Sequence, residues 1–153
     1  MSNRIAVLIT EPINFMEQAF HYLSPFSAHR IELWGEVFQT AEHAYQTSRI
    51  LPGPERDAIK NAPSPMDAWR EGQKYKNSPE LAVPNFDKAA VMEEIFRAKL
   101  TQHQDIADIL RLSGTRGLHK VWDDAYWGTG KDGSGQNVMG KIWMKLRDEL
   151  LSA

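Results

Sequence analysis

Signals for β-strands are confined to the first forty residues of this chain, and every later periodic segment has helical spacing. The strand signals are the short apolar run Ile5–Ile9 and the alternating stretch Ile31–Phe38, which predicts a short hairpin around Gly35. This distribution does not fit repeated strand–helix–strand units. It predicts a helix-rich α+β fold with a few short strands, and the length of 153 residues predicts one domain over residues 1–153.

Capping residues, prolines and glycines predict where the helices begin and end. The predicted helices are residues 41–50 after Thr40, 54–61 from Pro54, 65–75 after Ser64, one after Asp87 with Val91, Met92, Ile95, Phe96 and Leu100, one with Ile106, Ile109 and Leu110 that ends at Gly114, and a last one with Met139, Ile142, Trp143, Leu146 and Leu150. The apolar stripe on each of the last three predicts a buried face, so Trp143 is predicted to be a core residue.

The composition excludes several classes of protein. Without cysteine, the chain has no disulfide, no thiolate zinc site and no cysteine nucleophile. A net charge of −2 does not indicate a general nucleic-acid surface, although a local basic groove stays open. No apolar run approaches the length needed to cross a bilayer, and Ile5–Ile9 is too short for a signal peptide, so we expect a cytoplasmic protein. The five histidines lack metal-binding spacing, because the neighbours Glu42 and His43 point about 100° apart on a helix.

A glycine-dense loop precedes the last predicted helix. Five of the ten glycines lie between Gly128 and Gly140. Such a loop at a helix start predicts backbone N–H groups brought close to a phosphate, with Lys131 and Lys141 nearby. The alternative is a flexible surface turn. Trp127 in the same segment is a candidate for stacking on a base or ring.

Two nucleotide-binding motifs match this loop on paper, and both fail on context. Residues 128–133 read G-x-G-x-x-G, but no strand precedes them and no parallel sheet surrounds them. Gly135–Lys141 has the spacing of a P-loop, but Ile142 stands where Ser or Thr must hold magnesium. Neither a dinucleotide-binding fold nor a nucleotide triphosphatase is predicted.

Glu42 falls in the first turn of its predicted helix. There the helix dipole and the free N–H groups favour an ionised carboxylate. Such a carboxylate suits stabilisation of a developing positive charge, or positioning of a water, more than proton donation. The alternative is an ordinary first-turn acid.

Two motifs that lie far apart in the chain are informative when they are considered together. The first is Thr40-Ala-Glu42-His43-Ala-Tyr45-Gln46, after Phe26-Ser-Ala-His29 and the predicted hairpin. The second is Asp124-Ala-Tyr-Trp127-Gly128-Thr-Gly130, then Gly135-Gln-Asn137, Gly140-Lys141 and Met144-Lys-Leu-Arg147. Between them stand Asn85-Phe86-Asp87-Lys88, Val91-Met92 and Lys99. Over roughly residues 22–150 the chain resembles the NADAR family, the YbiA-like N-glycosidases, whose signatures include T-x-E-H-x-x-Q and an aspartate followed by W-G-x-G, G-x-N and G-K.

The resemblance implies a fold, an activity and a set of site residues. Family members hydrolyse the bond between a ribose C1 and a nitrogen, through an oxocarbenium-like transition state, in riboflavin-pathway intermediates or ADP-ribosylated guanine. It implies a YbiA-like fold, Glu42 and Asp124 as catalytic residues, and no metal ion or bound cofactor. The substrate-binding residues that it implies are Tyr45, Phe86, Trp127, Gly128, Gly130, Asn137, Lys141 and Arg147. The partners that it implies are a small nucleotide-like or ADP-ribosyl substrate and ADP-ribosylated nucleic acid, without a membrane.

The chain departs from the family pattern at several positions. Pro25 replaces the asparagine of the L-S-N-F stretch, and Phe86 replaces a tryptophan, which keeps a stacking face but loses an N–H donor. Where the family has an acid, this chain has Leu118-His119-Lys120. Where the family has a pair of basic residues, this chain has Trp69 and Gln73. These differences leave one alternative open, a non-catalytic module that binds ADP-ribose or a related nucleotide. The presence of both Glu42 and Asp124 favours the enzyme.

Overall fold

The computed structural model describes residues 10–153, so the predicted strand Ile5–Ile9 lies outside the described residues. The elements, in chain order, are β1 (Ile13–Asn14), a 3-10 helix (Gln18–Leu23), β2 (Ile31–Leu33), β3 (Glu36–Phe38), α1 (Ala41–Ser48), α2 (Pro54–Lys60), α3 (Pro65–Gln73), a second 3-10 helix (Pro79–Leu81), α4 (Lys88–Gln102), α5 (Gln104–Leu112), β4 (Leu118–His119) and α6 (Val138–Ser152). The predicted helix-rich α+β class is confirmed.

The chain divides into two compact units. The middle unit is Pro25–Gln102, and the terminal unit combines residues 10–24 with His103–Ala153. A single domain over residues 1–153 stays a prediction.

The middle unit begins with the predicted hairpin. Strands β2 and β3 pair antiparallel, with Ile31 opposite Phe38 and Leu33 opposite Glu36. The two turn residues, Trp34 (φ 55°) and Gly35 (φ 74°), both have left-handed backbones, as a two-residue hairpin turn with the strand twist requires. Trp34 therefore shares the turn with Gly35, and the first strand ends at Leu33.

Local capping sets the helix starts in the middle unit as predicted. The Thr40 hydroxyl accepts the His43 N–H at the start of α1, and the Ser64 hydroxyl accepts the Asp67 N–H at the start of α3. Asp87 accepts the N–H of residue 90 in the first turn of α4. Helix α1 ends at Ser48, two residues before the predicted end, because residue 50 forms a β-bridge with residue 82.

The core of the middle unit lies around α1, which contacts α2, α3, α4 and β3. Of the predicted α4 stripe, Met92, Ile95 and Phe96 are fully buried, and Val91 and Leu100 are partly buried.

The terminal unit contains a strand pair that the sequence did not predict. β1 and β4 run parallel, with Ile13 opposite Leu118. Each strand is only two residues long, so neither has a readable alternation of polar and apolar residues. β4 also lies beyond the first forty residues, to which the strand signals are confined.

Helix α6 packs on β4 and α5, and its predicted apolar face is buried except at Leu150, which is partly buried. Trp143 is fully buried and its indole N–H donates to the Leu23 carbonyl across 2.8 Å, which confirms it as a core residue. None of the helices among the described residues combines the length and the apolar character needed to cross a membrane.

Candidate active site

Glu42 is a buried carboxylate at the start of α1. Glu42 is 5% exposed, and its backbone N–H donates to the Pro25 carbonyl across 3.0 Å. The Gln46 side-chain nitrogen donates to Glu42 Oε1 across 2.9 Å. The pair is four residues apart on one helix, the spacing at which side chains on a helix meet. In the first signature motif, the Glu42 carboxylate is therefore held by a side chain of its own helix.

Gln46 is in turn held by Arg49. Arg49 Nη1 donates to Gln46 Oε1 across 2.9 Å, and the guanidinium carbon lies 5.8 Å from the centre of the Tyr45 ring. Helix α3 passes close to this amide at Gly72, where an added Cβ would overlap Gln46 Oε1. Sequence reasoning assigned no role to Gln46 or Arg49, although their spacing from Glu42 is the readable signal.

The His43 side chain is held by hydrogen bonds at both ring nitrogens. It is fully buried, its Nε2 lies 2.9 Å from the Ala62 carbonyl oxygen, and its Nδ1 lies 2.8 Å from the Thr40 hydroxyl. Because a carbonyl only accepts, the proton is assigned to Nε2, and Nδ1 accepts from the hydroxyl. His43 thus ties the start of α1 to the residues that follow α2.

Two of the predicted substrate-binding residues lie together in the middle unit. The rings of Tyr45 and Phe86 meet edge to face, with centroids 6.0 Å apart and planes at 73°. Tyr45 is buried and Phe86 is partly exposed. Phe86 also lines an open groove of about 620 Å³ with Trp34 and Glu94. The sequence did not predict this groove, whose outer wall depends on the turn conformation of Trp34.

Two other residues that line the groove, Glu36 and Arg56, belong to an ion-pair cluster with Lys60. Arg56 donates to both carboxylate oxygens of Glu36, at 2.9 and 2.5 Å, and Lys60 donates a third bond at 2.9 Å. The bond from Arg56 is the main reason that the pKa of Glu36 falls from 4.5 to about 2, and Lys60 adds to the effect. Glu36 is therefore ionised, and its negative charge is balanced by the positive charges of Arg56 and Lys60.

Asp124 organises the turn that opens the second signature. It is exposed, and its Oδ1 accepts the backbone N–H groups of Tyr126 at 2.8 Å and Trp127 at 2.7 Å. Its own carbonyl accepts the Gly128 N–H. The carboxylate is thereby fixed relative to Trp127, whose ring meets that of Tyr126 edge to face at 4.9 Å.

The glycine loop closes on itself through bonds between its own backbone groups. The backbone N–H groups of five consecutive residues, 135–139, donate to loop carbonyls, which belong to Thr129, Ala125, Gly128, Tyr126 and Trp127 in that order. The start of α6 is capped by the loop itself. The N–H groups of residues 135–139 are therefore satisfied within the loop, and a phosphate-binding role for the loop stays a prediction.

The glycines have steric reasons to be glycine. A Cβ at Gly128 would lie 2.8 Å from the Lys120 carbonyl oxygen, and Gly130 has a left-handed φ of 73°. At Gly140 a Cβ would overlap the Leu118 carbonyl oxygen, so this glycine allows α6 to approach β4 closely.

Asn137 and Arg147, both predicted to contact substrate, use their side chains inside the terminal unit. The Asn137 amide bonds to the backbone at Leu118 and Lys120. Arg147 is 5% exposed, and its Nη1 donates to the Ser113 hydroxyl at 2.9 Å and the Arg116 carbonyl at 2.7 Å.

These contacts join α6 to the end of α5, and burial lowers the pKa of the Arg147 guanidinium. Lys141, in contrast, is an exposed residue in the first turn of α6.

The structure thus groups the predicted residues by unit. Glu42, Tyr45 and Phe86 belong to the middle unit, and the other predicted site residues belong to the terminal unit.

Comparisons with known proteins agree with the motifs. The NADAR domain model matches residues 13–151. The N-glycosidase YbiA of Shigella boydii is 34% identical over 143 residues, which cover 90% of this chain and 88% of that protein. The chloroplastic riboflavin biosynthesis protein PYRR of Zea mays is 31% identical over 86% of this chain, but the match covers only 24% of that protein.

Among solved structures, the NMR structure of the E. coli protein YbiA superposes with a TM-score of 0.79. It is 31% identical in sequence, and the match covers 93% of this chain and 86% of that one. The match confirms the predicted YbiA-like fold. By its domain match, its relatives and its fold, the chain belongs to the NADAR family.

Proposed function

We propose that this protein hydrolyses the bond between a ribose C1 and a nitrogen in a phosphorylated ribosyl or ADP-ribosyl substrate. Membership of the NADAR family supports the proposal, as do the relatives whose names describe N-glycosidases. The chain is a hydrolase of N-glycosyl bonds. The finer identity of the substrate, a riboflavin-pathway intermediate or ADP-ribosylated guanine, is part of the proposal.

The carboxylate of Glu42 carries the proposal. Breaking an N-glycosidic bond develops positive charge on the ribose, in an oxocarbenium-like transition state. A fixed negative charge with little solvent around it stabilises such a cation far more than one in water. Glu42 fits this requirement, because it is 5% exposed and its Oε1 is held by Gln46. We assign it stabilisation of the cation and positioning of the attacking water.

The family motif supports roles for the remaining residues. We assign Asp124 to the ribose hydroxyls or the leaving group, and Tyr45, Phe86 and Trp127 to the faces of the rings. The exposed ammonium of Lys141 is our candidate for the phosphate.

Four further residues shape the terminal unit in this proposal. Gly128 and Gly130 close the loop, Asn137 ties it to β4, and Arg147 joins α6 to α5. These contacts support a role in positioning the segments around the substrate, and direct contact of the four residues with the substrate stays a prediction.

Turnover of defined substrates tests the proposal. The purified protein is incubated with a ribosylamino-pyrimidine phosphate or with ADP-ribosylated guanine nucleotide, and mass spectrometry follows release of ribose phosphate or ADP-ribose. We expect time-dependent release that saturates with substrate concentration, and incorporation of one oxygen from ¹⁸O-labelled water at C1. Saturable binding without release from either substrate would contradict hydrolysis and favour a non-catalytic ADP-ribose-binding module.

A further inference from the structure

We infer that Gln46 and Arg49 are positioning residues for the Glu42 carboxylate. Arg49 fixes the orientation of the Gln46 amide, and the Gln46 amide fixes the carboxylate. The inference rests on the proposed function, since it assigns the orientation of Glu42 a part in the same reaction.

The chemistry of the three groups permits only one arrangement. A guanidinium has only donors, and an ionised carboxylate has only acceptors. Gln46 lies between them, 2.9 Å from each. Its carbonyl oxygen must therefore face Arg49, and its nitrogen must face Glu42. Without Arg49 the amide oxygen loses its donor, so the amide is held only by its bond to Glu42 and is less restricted in position.

The surroundings restrict Gln46 further. The residue is 4% exposed, and the backbone of α3 leaves room for its amide only because residue 72 is glycine. The Arg49 guanidinium lies over the Tyr45 ring, which limits where its fork can point. These contacts belong to α1, its C-terminal residue and α3, so the arrangement is built entirely within the middle unit.

The consequence for the reaction is specific. The bond from Gln46 stabilises the charged form of the carboxylate and holds it in one position. The positive charge that Glu42 stabilises exists only in the transition state, so misplacing the carboxylate lowers kcat more than it changes KM.

Three variants separate positioning from packing. Gln46→Met keeps the approximate size of the side chain but removes the N–H. Arg49→Met keeps an unbranched apolar side chain beside Tyr45 but removes the guanidinium, and Arg49→Lys restores a cationic donor. We expect a kcat about tenfold to a hundredfold lower in both methionine variants and a nearly unchanged KM. We expect Arg49→Lys to recover most of the loss.

An NMR measurement on the unliganded protein tests the inference without turnover. We expect Arg49→Met and Glu42→Gln each to shift the side-chain NH₂ resonances of Gln46, and to leave those of Gln73 in place. If the Gln46 resonances do not respond to Arg49→Met, the inference is wrong whether or not the protein is an enzyme.

The kinetic outcomes distinguish the two claims. If Glu42→Gln is inactive while both methionine variants keep the wild-type kcat, the positioning role is wrong and the proposed function stands. If the wild type releases no product from either substrate, the proposed function fails, and the NMR measurement decides whether Arg49 and Gln46 orient Glu42. Because Arg49 is partly exposed, its variants give this answer even where Gln46→Met does not fold.

Discussion

The side-chain amide of Asn137 bonds to the backbone on both sides of His119, in strand β4. Its nitrogen donates to the Leu118 carbonyl across 3.0 Å, and its oxygen accepts the Lys120 N–H across 2.9 Å. Asn137 also has a left-handed backbone (φ 51°, ψ 46°) immediately before α6. The side chain of Asn137, the asparagine of the G-x-N motif, therefore bonds to the backbone at β4 as a neighbouring strand would.

We expect Asn137→Ala to lower the free energy of unfolding by about 2–3 kcal/mol, from two lost hydrogen bonds and a strained backbone. Urea denaturation measures the loss. Asn137→Gly is the matched control, because glycine adopts the left-handed backbone without strain and isolates the cost of the bonds. Equal stability of Asn137→Ala and the wild type would contradict the role of the amide.

Gly140→Ala tests the close approach of α6 to β4. The added Cβ would overlap the Leu118 carbonyl oxygen, a backbone atom that cannot move without the strand. We expect a loss of about 2 kcal/mol or more in the free energy of unfolding, measured by urea denaturation. A thermal midpoint equal to that of the wild type would show that the helix and strand are less closely packed than described.

Gly72→Ala is the same substitution against a movable neighbour. Here the added Cβ meets the end of the Gln46 side chain, which can rotate away, and alanine favours the helix by about 1 kcal/mol. We expect an unfolding free energy within about 1 kcal/mol of the wild type but a kcat about tenfold lower, because Gln46 leaves Glu42. The paired measurements are urea denaturation and steady-state kinetics, and an unchanged kcat would argue against the part assigned to Gln46.

The Glu36 cluster predicts a pH dependence of stability. The pKa of Glu36 is lowered from 4.5 to about 2 in the folded protein, chiefly by Arg56. A depressed carboxyl pKa contributes stability that is fully present above the unfolded value and is lost as the pH falls from about 4.5 towards 2. The contribution is about 1–2 kcal/mol after solvent screening.

Urea unfolding at several pH values between 6 and 2.5 measures this dependence. We expect the difference in unfolding free energy between the wild type and Glu36→Gln to shrink as the solution becomes more acidic. A difference that is constant over this range would contradict the assignment.

Local features of this chain could be predicted from its sequence because their causes are local. Thr40, Ser64 and Asp87 cap their helices through residues three positions away, and the turn of the hairpin needs only Gly35 and its neighbour. The family motifs also predicted the fold, because members of the family share both the motifs and the YbiA-like fold.

Features that depend on distant partners could not be predicted. Strand β4 exists because Leu118 pairs with Ile13, and neither segment is long enough to show a pattern. The glycine loop presents the same difficulty, since its density of glycine indicated exposed N–H groups, and only the structure shows that loop carbonyls accept those of residues 135–139. Gln46 stands four residues after Glu42, a spacing that indicates contact on a helix, but no role was assigned to it because the direction of its amide depends on Arg49.

The central claim is that the buried Glu42 carboxylate cleaves the N-glycosyl bond, and kcat/KM of Glu42→Gln tests it most directly. Glu80→Gln, at an exposed acid of the second 3-10 helix, is the matched control. We expect Glu42→Gln to remain folded and to lose on the order of a hundredfold or more in kcat/KM, while Glu80→Gln matches the wild type. A folded Glu42→Gln that hydrolyses substrate at the wild-type rate would contradict the account.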